Sequence, residues 1–287
     1  MAEQDRQQPK RKTPQSGGTS SGGRGRTGGG TGQRGDASKS KGTARRSQQG
    51  RSSGGGRNRE GERQQAKPRR RDLQGAAANL PNWVVESLER VTPDKRVPGA
   101  LQALGEASEA FADGAYQRAM RKAQKAKDLA PRDATIREIL GLAAYRLGDW
   151  QVALAELRTF RRLAGETTHL PVEIDALRAM GRPNDVESAW QTLQQRGGRP
   201  AVMKEGRVVY ASFLIDEGRL DEASKLVMPQ RTSNKAFPED LRLWYVAARA
   251  AALMGDAGRA AELRNAILRQ DPAFPGIDEL ERLIASA

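Results

Sequence analysis

A six-residue pattern that recurs at a fixed spacing constrains the fold of this chain more than any other feature. Gly114 to Ala119 (GAYQRA) matches Gly148 to Ala153 (GDWQVA) 34 positions later, with a small residue, an aromatic residue and an alanine in the same places. The glycine and the alanine of the pattern return at Gly218 to Ala223 and, 37 residues later, at Gly255 to Ala260, without the aromatic residue. A fixed period of this length is the sequence mark of a repeat architecture. The chain is therefore predicted to fold as a stack of similar units.

The repeated units are predicted to be helical. Between Gly99 and the C-terminus, apolar residues recur at helical spacing, and glycines and prolines interrupt the pattern at regular intervals. β-Branched residues are scattered, and only Gly206 to Tyr210 (GRVVY) offers a short strand candidate. An all-α fold is predicted.

In these residues the chain resembles the tetratricopeptide repeat family. Pro131 and Pro272 each lie twelve residues after the alanine of a repeat, where that family ends its second helix, and Trp244 occupies the family's tryptophan position. The resemblance implies an all-α solenoid of antiparallel helix pairs, about five of them over residues 99–272, preceded by a disordered tail. The stretch from Pro171 to Gln195, which contains Gly181, is interpreted as a divergent third repeat, since no aromatic residue stands in the expected place.

Segments of other kinds flank the repeats. Residues 76–98 are predicted to form a short leading helix and a linker. Asn82 caps the helix, its apolar face is Val84, Val85, Leu88 and Val91, and Pro93 and Pro98 end it. Residues 273–287 are predicted to form a capping helix, with apolar residues on one side and charged residues on the other.

The N-terminal segment, residues 1–75, has a different composition. Met1 is its only large apolar residue before Leu73, so it cannot bury a core and is predicted to be disordered. It holds 19 basic and 6 acidic residues, a net charge of +13 against +14 for the whole chain. Such a segment favours nonspecific binding of RNA or DNA phosphates, and a solubilising or membrane-surface role is the alternative. The predicted nucleic-acid contacts are Arg11, Arg24, Arg26, Arg45, Arg46, Arg69, Arg70 and Arg71.

Few residues suit catalysis or metal binding. The chain has no cysteine and one histidine, His169, which is interpreted as an exposed loop residue. The motif Gly23 to Gly28 matches G-x-G-x-x-G, but it follows no strand and opens no helix, as a dinucleotide site requires. We expect no enzymatic activity, no metal and no cofactor.

The resemblance also implies a concave, partner-binding groove lined by the first helix of each pair. Carrying the family's register onto this sequence gives a set of groove residues: Glu138, Leu142, Tyr145, Arg146, Glu205, Val208, Ser212, Ile215, Arg242, Tyr245 and Arg249. For the two tyrosines, packing between repeats is an equal alternative to ligand binding. Arg242 and Arg249 are predicted either to bind an acidic ligand or to lie on a solvated helix face.

Two functions are predicted from these features. The first is a scaffold that binds a protein or peptide in the groove, with the basic segment adding nonspecific nucleic-acid affinity. The second is an RNA-, ribosome- or DNA-associated protein whose repeats mediate self-association. The chain lacks a signal-like or membrane-spanning apolar run, which favours the cytoplasm. Its 37 arginines against 12 lysines indicate a GC-rich bacterial genome, as in actinobacteria.

Overall fold

The computed structural model describes residues 73–287, and every regular element in this range is helical. The predicted all-α helical-repeat fold is thereby confirmed. The strand candidate Gly206 to Tyr210 lies inside a helix, because tertiary packing overrides the weak β-propensity of two valines. The predicted disordered tail and its arginines lie outside the described residues.

The described part contains twelve α-helices, which are named α1 to α12 in chain order. Their bounds are α1 Asn82–Val91, α2 Val97–Ala112, α3 Tyr116–Leu129, α4 Ala134–Arg146, α5 Trp150–Ala164, α6 Leu170–Ala179, α7 Pro183–Arg196, α8 Pro200–Asp216, α9 Leu220–Val227, α10 Pro238–Leu253, α11 Ala257–Gln270 and α12 Ile277–Ser286. Two short 3-10 helices, Gly75–Asn79 and Asp94–Arg96, precede α1 and α2.

Helices α2 to α11 form five consecutive pairs, each joined by a three-residue turn with a central glycine. In the second pair Gly148 has φ 76°, a left-handed conformation that glycine adopts without steric cost. The next N–H, that of Asp149, donates to the carbonyl of Ala144 at 2.9 Å. This bond recurs in the other four turns, which centre on Gly114, Gly181, Gly218 and Gly255. The same helix-ending motif therefore defines every pair, including the divergent third one.

The pairs stack in chain order. Within a pair the two helices pack together, the second helix packs on the first helix of the next pair, and first helices such as α6, α8 and α10 pack on one another. The residue five positions after each turn glycine is fully buried, and these residues are Ala119, Ala153, Val186, Ala223 and Ala260. Small side chains at this position let the two helices of a pair approach closely, which explains the repeat pattern.

The N-terminal helix α1 packs on α2 through Val84, Val85 and Leu88, all of which are buried. The prediction that Val91 shares this buried face is wrong: Val91 is the last residue of the helix and is 39% exposed. Asn82 is the first helical residue, and Pro81 takes the cap position. Pro98 is the second residue of α2 and does not end α1, since a first-turn proline lacks only an N–H that has no helical partner.

The C-terminal helix α12 covers the last pair by packing on α10 and α11. Leu280 is fully buried, and Ile277 and Ile284 pack against the same core. The opposite face exposes Asp278 and Glu279 among other charged residues. Helix α12 thereby covers the apolar face of the last pair, which no further pair would bury. Terminal elements of repeat proteins commonly have this role.

Candidate protein-binding groove

A cavity of about 240 Å³ lies between the first helices of three consecutive pairs, α4, α6 and α8. We call it the groove. Its lining comprises Tyr145 from α4, Thr168, Pro171, Val172 and Asp175 in and before α6, and Ala201, Val202, Glu205 and Val209 from α8.

The helical register places these side chains in the groove. In α6, Leu170, Ile174 and Leu177 follow a spacing of four and three residues and are fully buried. Val172 and Asp175 therefore project from the opposite side of the helix, and both are only half-buried. In α8, lining residues at positions 201, 205 and 209 share a face through a spacing of four. The valines make the floor apolar, and the two carboxylates stand at its edges.

A chain of hydrogen bonds fixes the edge near α4. The hydroxyl of Tyr145 donates to Oδ2 of Asp175 at 2.5 Å, and Nε of Arg178 donates to Oδ1 of the same carboxylate at 3.0 Å. Arg178 also donates through Nη1 to Oδ2 of Asp216 at 2.5 Å. Burial and then the bond to the Asp175 carboxylate raise the pKa of Tyr145, so the phenol stays neutral and a donor. The three first helices are thus tied together by polar contacts.

The other edge is formed by Glu205, which joins α8 to α10. Nε of Arg242 donates to Oε1 of Glu205 at 2.8 Å. The neighbouring pair Lys204 and Asp240 lies at 2.7 Å and connects the same two helices. Glu205 is therefore held in place and partly neutralised, although it remains accessible at the groove.

The remaining predicted groove residues lie outside this cavity and contact the protein itself. Leu142 is half-buried, the guanidinium of Arg146 lies 5.8 Å from the centre of the Tyr116 ring, and Ser212 donates to the Val208 carbonyl of its own helix at 2.8 Å. Near the C-terminus, Tyr245 donates to the Gly276 carbonyl at 3.2 Å, and Arg249 lies 4.0 Å from Glu279 of α12. Ile215 is buried and Val208 half-buried in the core around α8. Of the predicted set, Tyr145 and Glu205 line the groove.

The interpretation of His169 as an exposed loop residue is wrong. The side chain is 15% exposed, and Nε2 lies 2.6 Å from Oε1 of Glu138. Its ring also packs against Phe160, with centroids 5.1 Å apart. The loop before α6 folds back onto α4 and α5, so the imidazole is held between a carboxylate and an aromatic ring.

Sequence reasoning missed the α6 side of the groove because the third repeat diverges. A signal for it was nonetheless present: the turn glycines Gly148 and Gly181 are 33 residues apart. The same offset carries Leu142 to Asp175 and Tyr145 to Arg178, both of which belong to the hydrogen-bonded edge. The third repeat has no aromatic residue two positions after its turn glycine, so the pattern of the other repeats does not identify its register.

Three broader observations bear on the site. No helix of residues 73–287 is long and apolar enough to cross a membrane. Within the same range, no group of three or more histidine, aspartate or glutamate side chains is placed to hold a metal ion. No protein-family model and no curated protein sequence matches the chain.

Proposed function

We propose that this protein is a non-enzymatic scaffold of tetratricopeptide-like helix pairs that binds another protein through the groove between α4, α6 and α8. The observation that carries the proposal is the groove itself, an apolar floor with fixed polar groups at its edges, on the first helices of three consecutive pairs. Ligand sites typically combine concavity, apolar lining and a few positioned polar groups. Stacked repeats use such surfaces to bind extended segments. We place this activity in the bacterial cytoplasm.

The size of the groove favours a peptide anchor. At about 240 Å³ it is smaller than the roughly 300 to 1,000 Å³ of sites that enclose a whole drug-sized ligand. It suits one or two apolar side chains of a longer segment, which contact Val172, Val202 and Val209. The backbone of that segment then runs past the polar edges at Asp175 and Glu205.

A bulky substitution at the groove tests this function. Ala201 is exposed at the start of α8 and lines the groove, so Ala201→Trp fills the cavity without entering the core. Ala155→Trp is the matched control, because this alanine is exposed on α5, outside the groove. We expect wild type and Ala155→Trp to retain the same nuclease-resistant proteins from native lysate, and Ala201→Trp to lose them. Full retention by Ala201→Trp, with unchanged helical content, would reject the groove as the binding site.

The charge distribution supports a second function. Residues 1–75 hold +13 of the +14 charges, which favours nonspecific phosphate binding through the arginines of that segment. In this alternative the protein is associated with RNA, ribosomes or DNA, and the repeats mediate self-association. Nuclease treatment of the same lysate separates the two functions: release of every retained protein favours the alternative. Sedimentation of the purified protein as a monomer at micromolar concentration argues against it.

A further inference from the structure

A second cavity, of about 570 Å³, adjoins the groove. We call it the loop cleft, because it lies between residues 165–168 of the loop from α5 to α6 and residues 196–199, which are the end of α7 and the loop from α7 to α8. Thr168 and Val202 line both cavities. A segment bound in the groove can therefore continue into the loop cleft without leaving the protein surface.

The two loops are held against each other. Oγ1 of Thr167 donates to the Gly197 carbonyl at 2.7 Å. A Cβ atom on Gly198 would lie 3.0 Å from Oγ1 of Thr167 and 3.3 Å from Cγ1 of Val202, tighter than ordinary contact. The absence of a side chain at Gly198 thus permits this close approach. The contact between the two loops fixes the shape of the cleft, whose walls contain glycine backbone and threonine side chains.

The cleft carries cations without partners. Within residues 73–287, the guanidiniums of Arg196 and Arg199 take part in no ion pair or side-chain hydrogen bond, whereas Arg178 and Arg242 beside the groove are both paired. Glu166 is the one acidic side chain in the lining, and it accepts a hydrogen bond from Thr168 at 2.9 Å.

Backbone N–H groups of the same loops are also free to donate hydrogen bonds. In the described part of the chain, the N–H groups of Glu166, Thr167 and Gly198 donate to no other protein group. Guanidinium groups and free backbone N–H groups both donate hydrogen bonds to carboxylates, and an arginine can bind one carboxylate through two parallel bonds.

We infer that the loop cleft binds an acidic side chain, aspartate or glutamate, of the same protein segment whose apolar side chain fills the groove. The inference rests on the proposed function. Continuity of the two cavities through Thr168 and Val202 sets the segment's path, and the two unpaired arginines set its charge. The groove itself supplies little attraction for an anion, since its own charged residues at Asp175 and Glu205 are carboxylates. The partner motif is therefore an apolar residue within a few positions of an acidic one.

Selection from a library of random dodecapeptides, displayed and sequenced, tests this inference on the full chain. Four proteins are compared: wild type, Arg196→Gln/Arg199→Gln, Arg162→Gln/Arg269→Gln and Ala201→Trp. The second pair of arginines is the matched control, because both are exposed in the last turns of other helices and the same two charges are removed. The basic residues before Leu73 are identical in all four proteins, so their attraction for acidic peptides cancels in the comparison.

We expect wild type and Arg162→Gln/Arg269→Gln to enrich peptides that carry an acidic residue near an apolar one. The variant Arg196→Gln/Arg199→Gln should keep the apolar preference, lose the acidic one, and bind the best labelled peptide about tenfold more weakly by fluorescence anisotropy, as loss of a charge-assisted bond predicts.

The contrary outcomes separate the two claims. Acidic enrichment that persists in Arg196→Gln/Arg199→Gln, or apolar enrichment in wild type without any acidic preference, overturns the inference and leaves the groove standing. Absence of apolar enrichment in wild type, or enrichment that Ala201→Trp leaves unchanged, overturns the proposed function and the inference with it.

Discussion

Replacement of Ala153 by glutamate tests the repeat register directly. Ala153 is fully buried where α5 packs on α4, five residues after the turn glycine Gly148. Glu156, three residues later on α5, already pairs with Lys127 and Arg137, at 2.9 and 2.6 Å. A carboxylate at position 153 therefore enters the interface without a free partner.

The loss of unfolding free energy caused by Ala153→Glu can be worked out for either charge state of the new carboxyl group. An ionised and unpaired buried carboxylate costs about 3 to 5 kcal/mol. Keeping an ordinary glutamic acid neutral at pH 7 costs about 3.7 kcal/mol, at about 1.36 kcal/mol for each pH unit above its usual pKa. Both routes give at least about 3 kcal/mol. For a domain of this size each kcal/mol lowers the melting temperature by about 2 to 4 °C, so a fall of about 6 °C or more is expected.

Urea and thermal unfolding, followed by circular dichroism, measure this cost. Ala155→Glu is the control: it makes the same substitution two residues later on the exposed side of α5, and should change stability by less than about 0.5 kcal/mol. Burial raises the pKa of the introduced carboxyl in the folded state, so the deficit should be full at neutral pH and shrink as the pH falls toward 4. Equal melting temperatures for the two variants would show that the register is wrong.

Three further predictions concern the groove edge, a close helix contact and the basic segment. Tyr145→Phe removes the hydrogen bond to the Asp175 carboxylate and should cost about 1 kcal/mol of unfolding free energy. Tyr116→Phe should be neutral, because the Tyr116 hydroxyl makes no hydrogen bond within the described residues. Equal effects of the two substitutions would contradict the hydrogen bonds at this edge of the groove. Gly105→Ala places a Cβ atom 2.3 Å from a backbone oxygen of the first 3-10 helix and should destabilise by about 1 kcal/mol or more. Gly258→Ala, at an exposed position of α11, should stabilise by up to about 1 kcal/mol, and a gain for both variants would refute the close contact. In duplex DNA binding, the affinity of the full chain should fall steeply with salt, with a log-log slope of about 0.9 per phosphate contacted. The fragment 73–287 should bind almost nothing at about 0.15 M salt, and equal affinity of the fragment would make the repeats the nucleic-acid reader.

The helix pairs themselves were predictable because their determinants are local. Each turn needs one glycine and a hydrogen bond that spans five residues, such as that from Asp149 to Ala144. The buried small residue follows five positions later, within the next helix. Both signals lie within about ten residues of sequence, so a repeated pattern reveals them without knowledge of the partners in space.

The groove depended on the tertiary structure. The register pointed to Tyr145 and Glu205, which line the cavity, but their partners Asp175 and Arg242 lie 30 and 37 residues away along the chain. Whether a charged side chain faces an open cavity or an opposite charge depends on how each helix is rotated against its neighbours. His169 shows the same limit, because its burial against Glu138 arises from a loop that folds back.

The sequence by itself determined the alternation of helix and turn, since hydrogen bonds and helical spacing within a few residues specify it. Only the tertiary structure decided which first helices converge on a cavity and which arginines stay unpaired. Those outcomes come from contacts between whole helix pairs, which bring side chains of α4, α6 and α8 together around the cavity and which no local pattern records.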